Sequence, residues 1–275
     1  MKPVIIIGAP RSGTNILRDV LTSLPSITTW PCDEINLMWR HGNARHPSDE
    51  LPPELATPAV QRYMRRQFER VSHRRGCEMV VEKTCANSLR VDFVERIFPD
   101  AAYLFIVRDG IDAIASSMKR WTAPFDLAYT LRKVRYVPVT DLPYYGARFL
   151  LNRLHRLTTT EKQLAVWGPV FEGMREAAAE LSLEEVCALQ WRACVESAES
   201  SLATLPPQRV FRLRYEDFAR GAEATTTAIC SFLGLPVDTD LIAAAAGKVR
   251  DNSVGKGRRA LTAQQLRRIE RRLAD

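Results

Sequence analysis

The chain has 275 residues, 46% of them hydrophobic and 26% charged, with 39 Lys+Arg against 32 Asp+Glu for a formal net charge of +7. That length accommodates one large domain or two small ones around a core that needs no disulfide or metal staple. The composition excludes wholesale disorder, no apolar run approaches the ~18 residues of a membrane span, and the positive balance favours anionic partners without choosing among them.

In chain order, the first element is the apolar run Val4–Gly8, read as a buried strand. It is too short for the apolar segment of a secretory signal, and Pro10-Arg11-Ser12-Gly13 follows at once. Ile16, Leu17, Val20, Leu21 and Leu24 then recur on one face and predict a helix. An irregular stretch runs from Pro31 to Pro58. Glu78–Val81 reads as a strand, Leu89, Phe93, Val94 and Ile97 as a helix face ending before Pro99, and Tyr103–Val107 as another strand. From Trp121 to Leu181 the rhythm breaks. Pro124, Pro138, Pro143 and Pro169, the aromatics Trp121, Phe125, Tyr129, Tyr136, Tyr144, Tyr145 and Trp167, and basic residues such as Arg132, Lys133, Arg135, Arg148 and Arg153 predict a mostly helical insert or lid. Ser182 with Glu185 forms a capping box opening a helix to about Leu205; Val210–Leu213 is a strand; Thr262 with Gln265 opens a C-terminal helix. Strands alternating with helices predict an α/β fold with a mainly parallel sheet. The reading is one domain over residues 1–275 with an acceptor-binding helical insert at 121–181. Six cysteines without a CxxC pair and four histidines without HExxH predict free thiols in a reducing cytoplasm and no structural zinc.

The strongest local signal is the run from Val4 to Leu17: apolar strand, small-residue loop, amphipathic helix. Such a turn aims unpaired backbone N–H groups at one point at a helix N-terminus, which suits a phosphate. Gly8 and Gly13 allow close backbone approach, and Arg11 adds a fork of donors. It is not a Walker A loop, because GxxxxGK[ST] needs Lys where Thr14 stands. Nor does an apolar strand end in a magnesium-holding aspartate; the nearest, Asp109, is preceded by Arg108. A second strand–helix junction, Phe105 to Ser116, carries Arg108 at the helix start. Ser116 lies eight residues on and Arg120 one turn further, on one helix face. That spacing surrounds one dianion with two guanidiniums and a hydroxyl.

Pro10-Arg11-Ser12-Gly13-Thr14 resembles the 5′-phosphosulfate loop of sulfotransferases that use 3′-phosphoadenosine 5′-phosphosulfate (PAPS). The Arg108, Ser116, Arg120 spacing resembles that family's 3′-phosphate site. Arg212-Leu213-Arg214-Tyr215-Glu216-Asp217-Phe218 resembles its strand-end Tyr-Glu-Asp, where the tyrosine lies near the adenine. Arg250 to Arg259, with Val254-Gly255-Lys256-Gly257-Arg258-Arg259-Ala260-Leu261, resembles its C-terminal Gly-rich basic loop over the nucleotide; Gly257 stands where many members carry Trp. The matches run from about residue 4 to 262 and leave only the middle insert uncovered. The resemblance implies a P-loop NTPase-like parallel sheet flanked by helices. It implies PAPS as co-substrate, no metal, and a donor site of Arg11, Ser12, Gly13, Thr14, Asn15, Arg108, Ser116, Arg120, Tyr215, Arg250, Gly255, Lys256 and Arg258.

Sulfuryl transfer needs a base for the acceptor proton and positive charge on the bridging oxygen. A sulfuryl group carries less charge than a phosphoryl group, so arginine and lysine can balance it without magnesium. Lys83, just past the Met79–Val81 run, stands where the family often has a catalytic lysine. Cytosolic members read Lys-Thr-His there with the histidine as base; here Lys83-Thr84-Cys85 lacks it, and Cys85 is given no role. Tyrosylprotein sulfotransferases and many bacterial relatives take the base from a glutamate after the first helix. The chain resembles this glutamate-base group, which points to Glu34, with Asp33 as rival, and to Arg40 as a substrate-side arginine. The implied reaction moves the sulfuryl group from PAPS to a hydroxyl or amine of a small molecule, glycan or peptide, with no nucleic-acid partner. Two other readings stay open: a P-loop kinase with a degenerate loop, and a non-catalytic anion or nucleic-acid module using Arg258, Arg259, Arg267, Arg268, Arg271 and Arg272.

Overall fold

The computed structural model describes residues 1–123, 138, 141 and 167–274. Five strands, β1 (Lys2–Ile7), β2 (Ile27–Thr28), β3 (Met79–Lys83), β4 (Ala102–Val107) and β5 (Val210–Arg214), form one sheet in the order β2-β3-β1-β4-β5. Every pairing is parallel, with Ile6 opposite Lys83, Ile7 opposite Phe105 and Val107 opposite Arg214. A parallel sheet is covered on both faces, so its central strand reads as a continuous apolar run; Val4 to Ile7 are wholly buried. Alternation along β1 splits the core. Ile5 and Ile7 pack with Trp39, Phe68 and Phe93 on one side, and Val4 and Ile6 with Leu17, Leu21, Phe218 and Ile229 on the other.

In chain order come α1 (Thr14–Leu21), α2 (Asn36–Trp39), α3 (Pro58–Arg75), α4 (Val91–Ile97) and α5 (Gly110–Trp121), of which α1, α4 and α5 are the expected helices with small shifts. At the end of the expected insert lies α6 (Met174–Glu180), and after it follow α7 (Leu183–Ala203), α8 (Tyr215–Arg220), α9 (Ala222–Leu233), α10 (Thr239–Ala246), α11 (Lys256–Ala260) and α12 (Ala263–Ala274). Both capping boxes are made: Ser182 N–H donates to Glu185 Oε2 and Thr262 N–H to Gln265 Oε1. Helix α3 was not among the expected elements. Only Val60, Met64 and Phe68 mark its buried face, and six arginines dilute the pattern. Strand β2, two residues long, carries too little sequence to read. Strand β3 runs on to Lys83, so that lysine is its last residue rather than a loop residue.

From central β1 the chain builds β2 and β3 on one side, then crosses to β4 and β5 on the other. The carboxyl ends of β1, β3, β4 and β5 therefore open on one crevice, where ligands of such sheets bind. Of the expected insert, only residues 121–123, 138, 141 and 167–181 are described. Phe125, Tyr129, Tyr136, Tyr144, Tyr145, Arg132, Lys133, Arg135, Arg148 and Arg153 lie outside the described residues. Among the described residues, no helix is long and apolar enough to cross a membrane.

Candidate active site

Between β1 and α1 the chain turns through Gly8–Gly13 in a tight loop. Arg11 has φ 66°, the one positive φ of a non-glycine among the described residues, and Gly13 has φ 89°. A Cβ on Gly13 would lie 2.2 Å from the Tyr215 ring, so this glycine is required twice over, by backbone and by packing. Helix α1 has no side-chain cap and no acidic residue in its first turn, which leaves its first N–H groups facing the crevice. Ser12 is buried and its hydroxyl has no hydrogen-bond partner. A buried orphan hydroxyl beside an uncapped helix start suits an anion.

Three guanidiniums converge beside this loop. Arg11 Nε donates to Ser116 Oγ at 3.0 Å. Arg108 at the end of β4 donates to the Arg11 carbonyl at 3.0 Å and to the Ser253 carbonyl at 2.6 Å, while its buried Nε has no partner. The Arg108 guanidinium lies 4.6 Å over the Tyr215 ring, and the Tyr215 hydroxyl is 2.6 Å from Ser253 Oγ. Partial burial, with the guanidiniums of Arg120 and Arg108, holds Arg11 below the ordinary arginine value. Like charges so arranged are relieved by a bound anion. Ser116, Lys119 and Arg120 of α5 face the same space.

Asp112, four residues after Arg108, ties the C-terminal basic loop to this cluster. Its Oδ2 accepts from Gly255 N and its Oδ1 from Gly257 N, both at 2.6 Å, with Arg108 3.6 Å away. Gly257 is buried there, and a Cβ on it would lie 2.6 Å from the Ile111 carbonyl. No tryptophan could occupy this position in this packing.

Next to the loop, across Cys85, whose Sγ lies 3.7 Å from Thr14 Oγ1, Glu34 meets Lys83. Lys83 Nζ donates to Glu34 Oε1 at 2.9 Å, and Cys85 N donates to the same oxygen at 3.4 Å. Burial works against the Lys83 charge, yet Glu34 raises its pKa above the usual lysine value. The Cys85 thiol is pushed up to about 12, by burial first and then Glu34, so it stays protonated. Asp33 is half-exposed and faces Arg18 at 3.6 Å instead. Behind Lys83, wholly buried Glu82 accepts from Thr84 Oγ1 at 2.5 Å and Asn87 Nδ2 at 2.8 Å. Burial pushes its carboxyl up to about 7 against the opposing pull of Thr84, Trp39 and Lys83.

The loop, the guanidiniums and the Glu34–Lys83 pair line one cavity of about 660 Å³. Of the expected residues, Arg11, Gly13, Thr14, Asn15, Glu34, Lys83, Arg108, Ser116, Arg120, Tyr215 and Lys256 line it; Asp33 lines it too. Six cations (Arg11, Lys83, Arg108, Lys119, Arg120, Lys256) face three carboxylates there. Ser12 and Gly255 do not line it, though Ser12 adjoins Arg11 and Gly13 in the loop and Gly255 N donates to Asp112.

Three expected residues are not brought to the cavity. Arg40 is buried, its guanidinium taken by Asp49 at 2.8 Å and by the carbonyls of Ser48 and His46. It stabilises its own loop rather than facing a substrate. Arg250 turns back on the carbonyls of Gly247 and Val249, and Arg258 pairs with Glu270 at 3.0 Å on the surface. Asp109, the nearest acidic strand end, caps α5 by accepting from Asp112 N. Asp112, Ser253, Lys119 and Asn36 were missed. Asp112 alone left a trace, its i,i+4 spacing from Arg108.

The parallel sheet, the loop after β1 and the cation-lined crevice define an α/β protein whose basic crevice suits an anionic group beside a carboxylate. The sequence profile of the Sulfotransferase family matches residues 3–163 and 147–239. The chain belongs to the sulfotransferase family. Among solved structures it is similar to the sulfotransferase domain from the curacin biosynthetic pathway, with 15% identity, 100% of this chain and 98% of that one covered, and a TM-score of 0.56. It is similar also to the sulfotransferase domain of the Synechococcus PCC 7002 olefin synthase (16%, 98% and 94%, TM-score 0.55). A third is mouse sulfotransferase SULT7A1 complexed with PAP (15%, 98% and 82%, TM-score 0.50). At such identities the likeness is one of fold. No curated protein matches the chain by sequence.

Proposed function

We propose that the protein transfers the sulfuryl group of PAPS to a hydroxyl or amine acceptor, releasing adenosine 3′,5′-bisphosphate (PAP). The supporting observation is a single cavity lined both by the loop after β1 with three guanidiniums and by a carboxylate–ammonium pair. The orphan hydroxyl of Ser12 and the orphan Nε of Arg108 suit phosphate oxygens that would complete their hydrogen bonding. On this reading the loop from Arg11 to Asn15 takes the 5′ end of the donor. Arg108, Ser116 and Arg120 take the 3′-phosphate, with Lys256 above and Tyr215 near the base. As the acceptor oxygen or nitrogen bonds to sulfur, the bond from sulfur to the 5′-phosphate oxygen breaks and PAP leaves. The acceptor proton passes to Glu34, as in the glutamate-base group, and Lys83 offsets charge on the departing oxygen. Charge is balanced by the guanidinium and ammonium groups themselves. Residues 1–275 act as one domain, the 121–181 segment shapes the acceptor pocket, and the six free thiols suit a reducing cytoplasm.

The test is a thermal shift followed by calorimetry. PAP should raise the melting temperature without magnesium. Arg11→Ala and Arg108→Ala should each weaken PAP roughly 10- to 100-fold, the effect of losing a charge-assisted hydrogen bond. Stabilisation by ATP with magnesium and none by PAP would reject the reading in favour of a kinase. Labelled PAPS offered with phenols, glycans and tyrosine peptides then identifies the acceptor.

A further inference from the structure

Glu34 sits on a segment held by a buried polar fork that the reaction itself does not use. Glu82, 1% exposed, sits at the fork's root on β3. One of its oxygens accepts from Thr84 Oγ1 at 2.5 Å, and Thr84 Oγ1 in turn accepts from Ile35 N at 3.2 Å. The other accepts from Asn87 Nδ2 at 2.8 Å. Asn87 Oδ1 accepts from Arg90 Nε at 2.9 Å, and Arg90 Nη2 donates to Asn36 Oδ1 at 2.6 Å. The two branches thus end on residues 35 and 36, next to Glu34 in the chain. Glu34 itself is gripped by Lys83 Nζ and Cys85 N, from either side of Thr84. Thr84 and Asn87 are wholly buried and Arg90 nearly so. Each link of the two branches is a hydrogen bond, and the remaining Arg90 Nη1, without a hydrogen-bond partner, lies 3.5 Å from Asp49 Oδ1; buried and linked in this way, the fork is stiff.

We propose that Glu82 and Thr84 are positioning residues that set the Glu34 carboxylate for proton abstraction, through the Thr84 bond to the Ile35 peptide. The inference rests on Glu34 being the base. A threonine hydroxyl with one proton can donate to Glu82 and accept from Ile35 in a single geometry. Valine keeps the shape and loses both bonds; serine keeps both bonds.

The test combines an acceptor-independent readout with turnover. Amide hydrogen exchange at Ile35, followed by NMR, should speed up roughly tenfold in Thr84→Val and return in Thr84→Ser. Transfer from labelled PAPS, with the best acceptor of the panel of phenols, glycans and tyrosine peptides, should fall roughly 10- to 100-fold in kcat for Thr84→Val. PAP affinity should stay within about twofold, and Thr84→Ser should recover the rate. In a Glu34→Gln background, Thr84→Val should cost nothing further, because it acts through the lost base. Unchanged Ile35 exchange overturns the proposal, as does faster exchange at full turnover. So does an undiminished cost of Thr84→Val on Glu34→Gln, or a loss of PAP affinity as large as the loss of rate. Full turnover by Glu34→Gln alone would instead reject the base assignment.

Discussion

Glu82 is wholly buried, and its carboxyl is pushed up from the ordinary 4.5 to about 7 by loss of solvent, against the pull of Thr84 and Lys83 and with Glu34 adding to it. In the unfolded chain this group ionises above pH 4.5; in the folded protein it keeps its proton to about pH 7. The folded state therefore binds more protons between those limits, and stability falls as pH rises through them, then levels off. At 1.36 kcal/mol per pH unit, the full difference is about 3 kcal/mol. Glu82→Gln replaces the carboxyl by a neutral isostere whose carbonyl can still accept from Asn87 Nδ2, while its amide, like the O–H of the protonated acid, donates to Thr84 Oγ1 and reverses that bond. The variant should match the parent near pH 4.5 and be more stable than it by about 3 kcal/mol at pH 8. The comparison is made by urea unfolding at half-unit steps from pH 4.5 to 8.5. The steepest divergence, about 1.4 kcal/mol per pH unit, belongs between pH 5 and 7. Parallel stability curves for parent and variant would refute the reasoning, since every other titrating group is common to both.

Gly13→Ala should cost roughly 2–5 kcal/mol, from its left-handed backbone and the overlap with Tyr215; an unchanged melting temperature would contradict the packing described for the loop. Glu34→Ala should keep PAP affinity and lose turnover by roughly 10²–10⁴-fold, so near-normal turnover rejects it as base. Asp112→Ala removes both bonds to Gly255 and Gly257, and should speed trypsin cleavage at Lys256 and Arg258 while weakening PAP roughly tenfold or more. Cleavage at the parent rate would mean that Asp112 does not latch this loop.

The anion loop and the parallel sheet were legible because both are written in short-range pattern. An apolar run buried on both faces announces a central parallel strand, as Val4 to Ile7 do. Arg108, Ser116 and Arg120 could be placed together because helical periodicity alone aligns them. The two capping boxes were readable for the same reason: cap and partner lie three residues apart. Helix α3 escaped because its buried face is three residues among six arginines, and its identity as a helix rests on what it packs against.

Which long charged side chains reach the cavity was decided only by the tertiary structure. Arg40, Arg250 and Arg258 carry the same group as Arg11 and Arg108, and a guanidinium bonds almost equally well to a carboxylate, a phosphate or a backbone carbonyl. Nothing within a few residues of Arg40 says that Asp49 and the carbonyls of its own loop will claim it. The choice of Glu34 over Asp33 for contact with Lys83 likewise depends on where β3 ends relative to the loop before α2, a register set by strands far apart in the chain. Backbone periodicity and capping are local and fix the frame from sequence. The partner of each charge is a long-range competition among near-equal bonds, and packing alone resolves it.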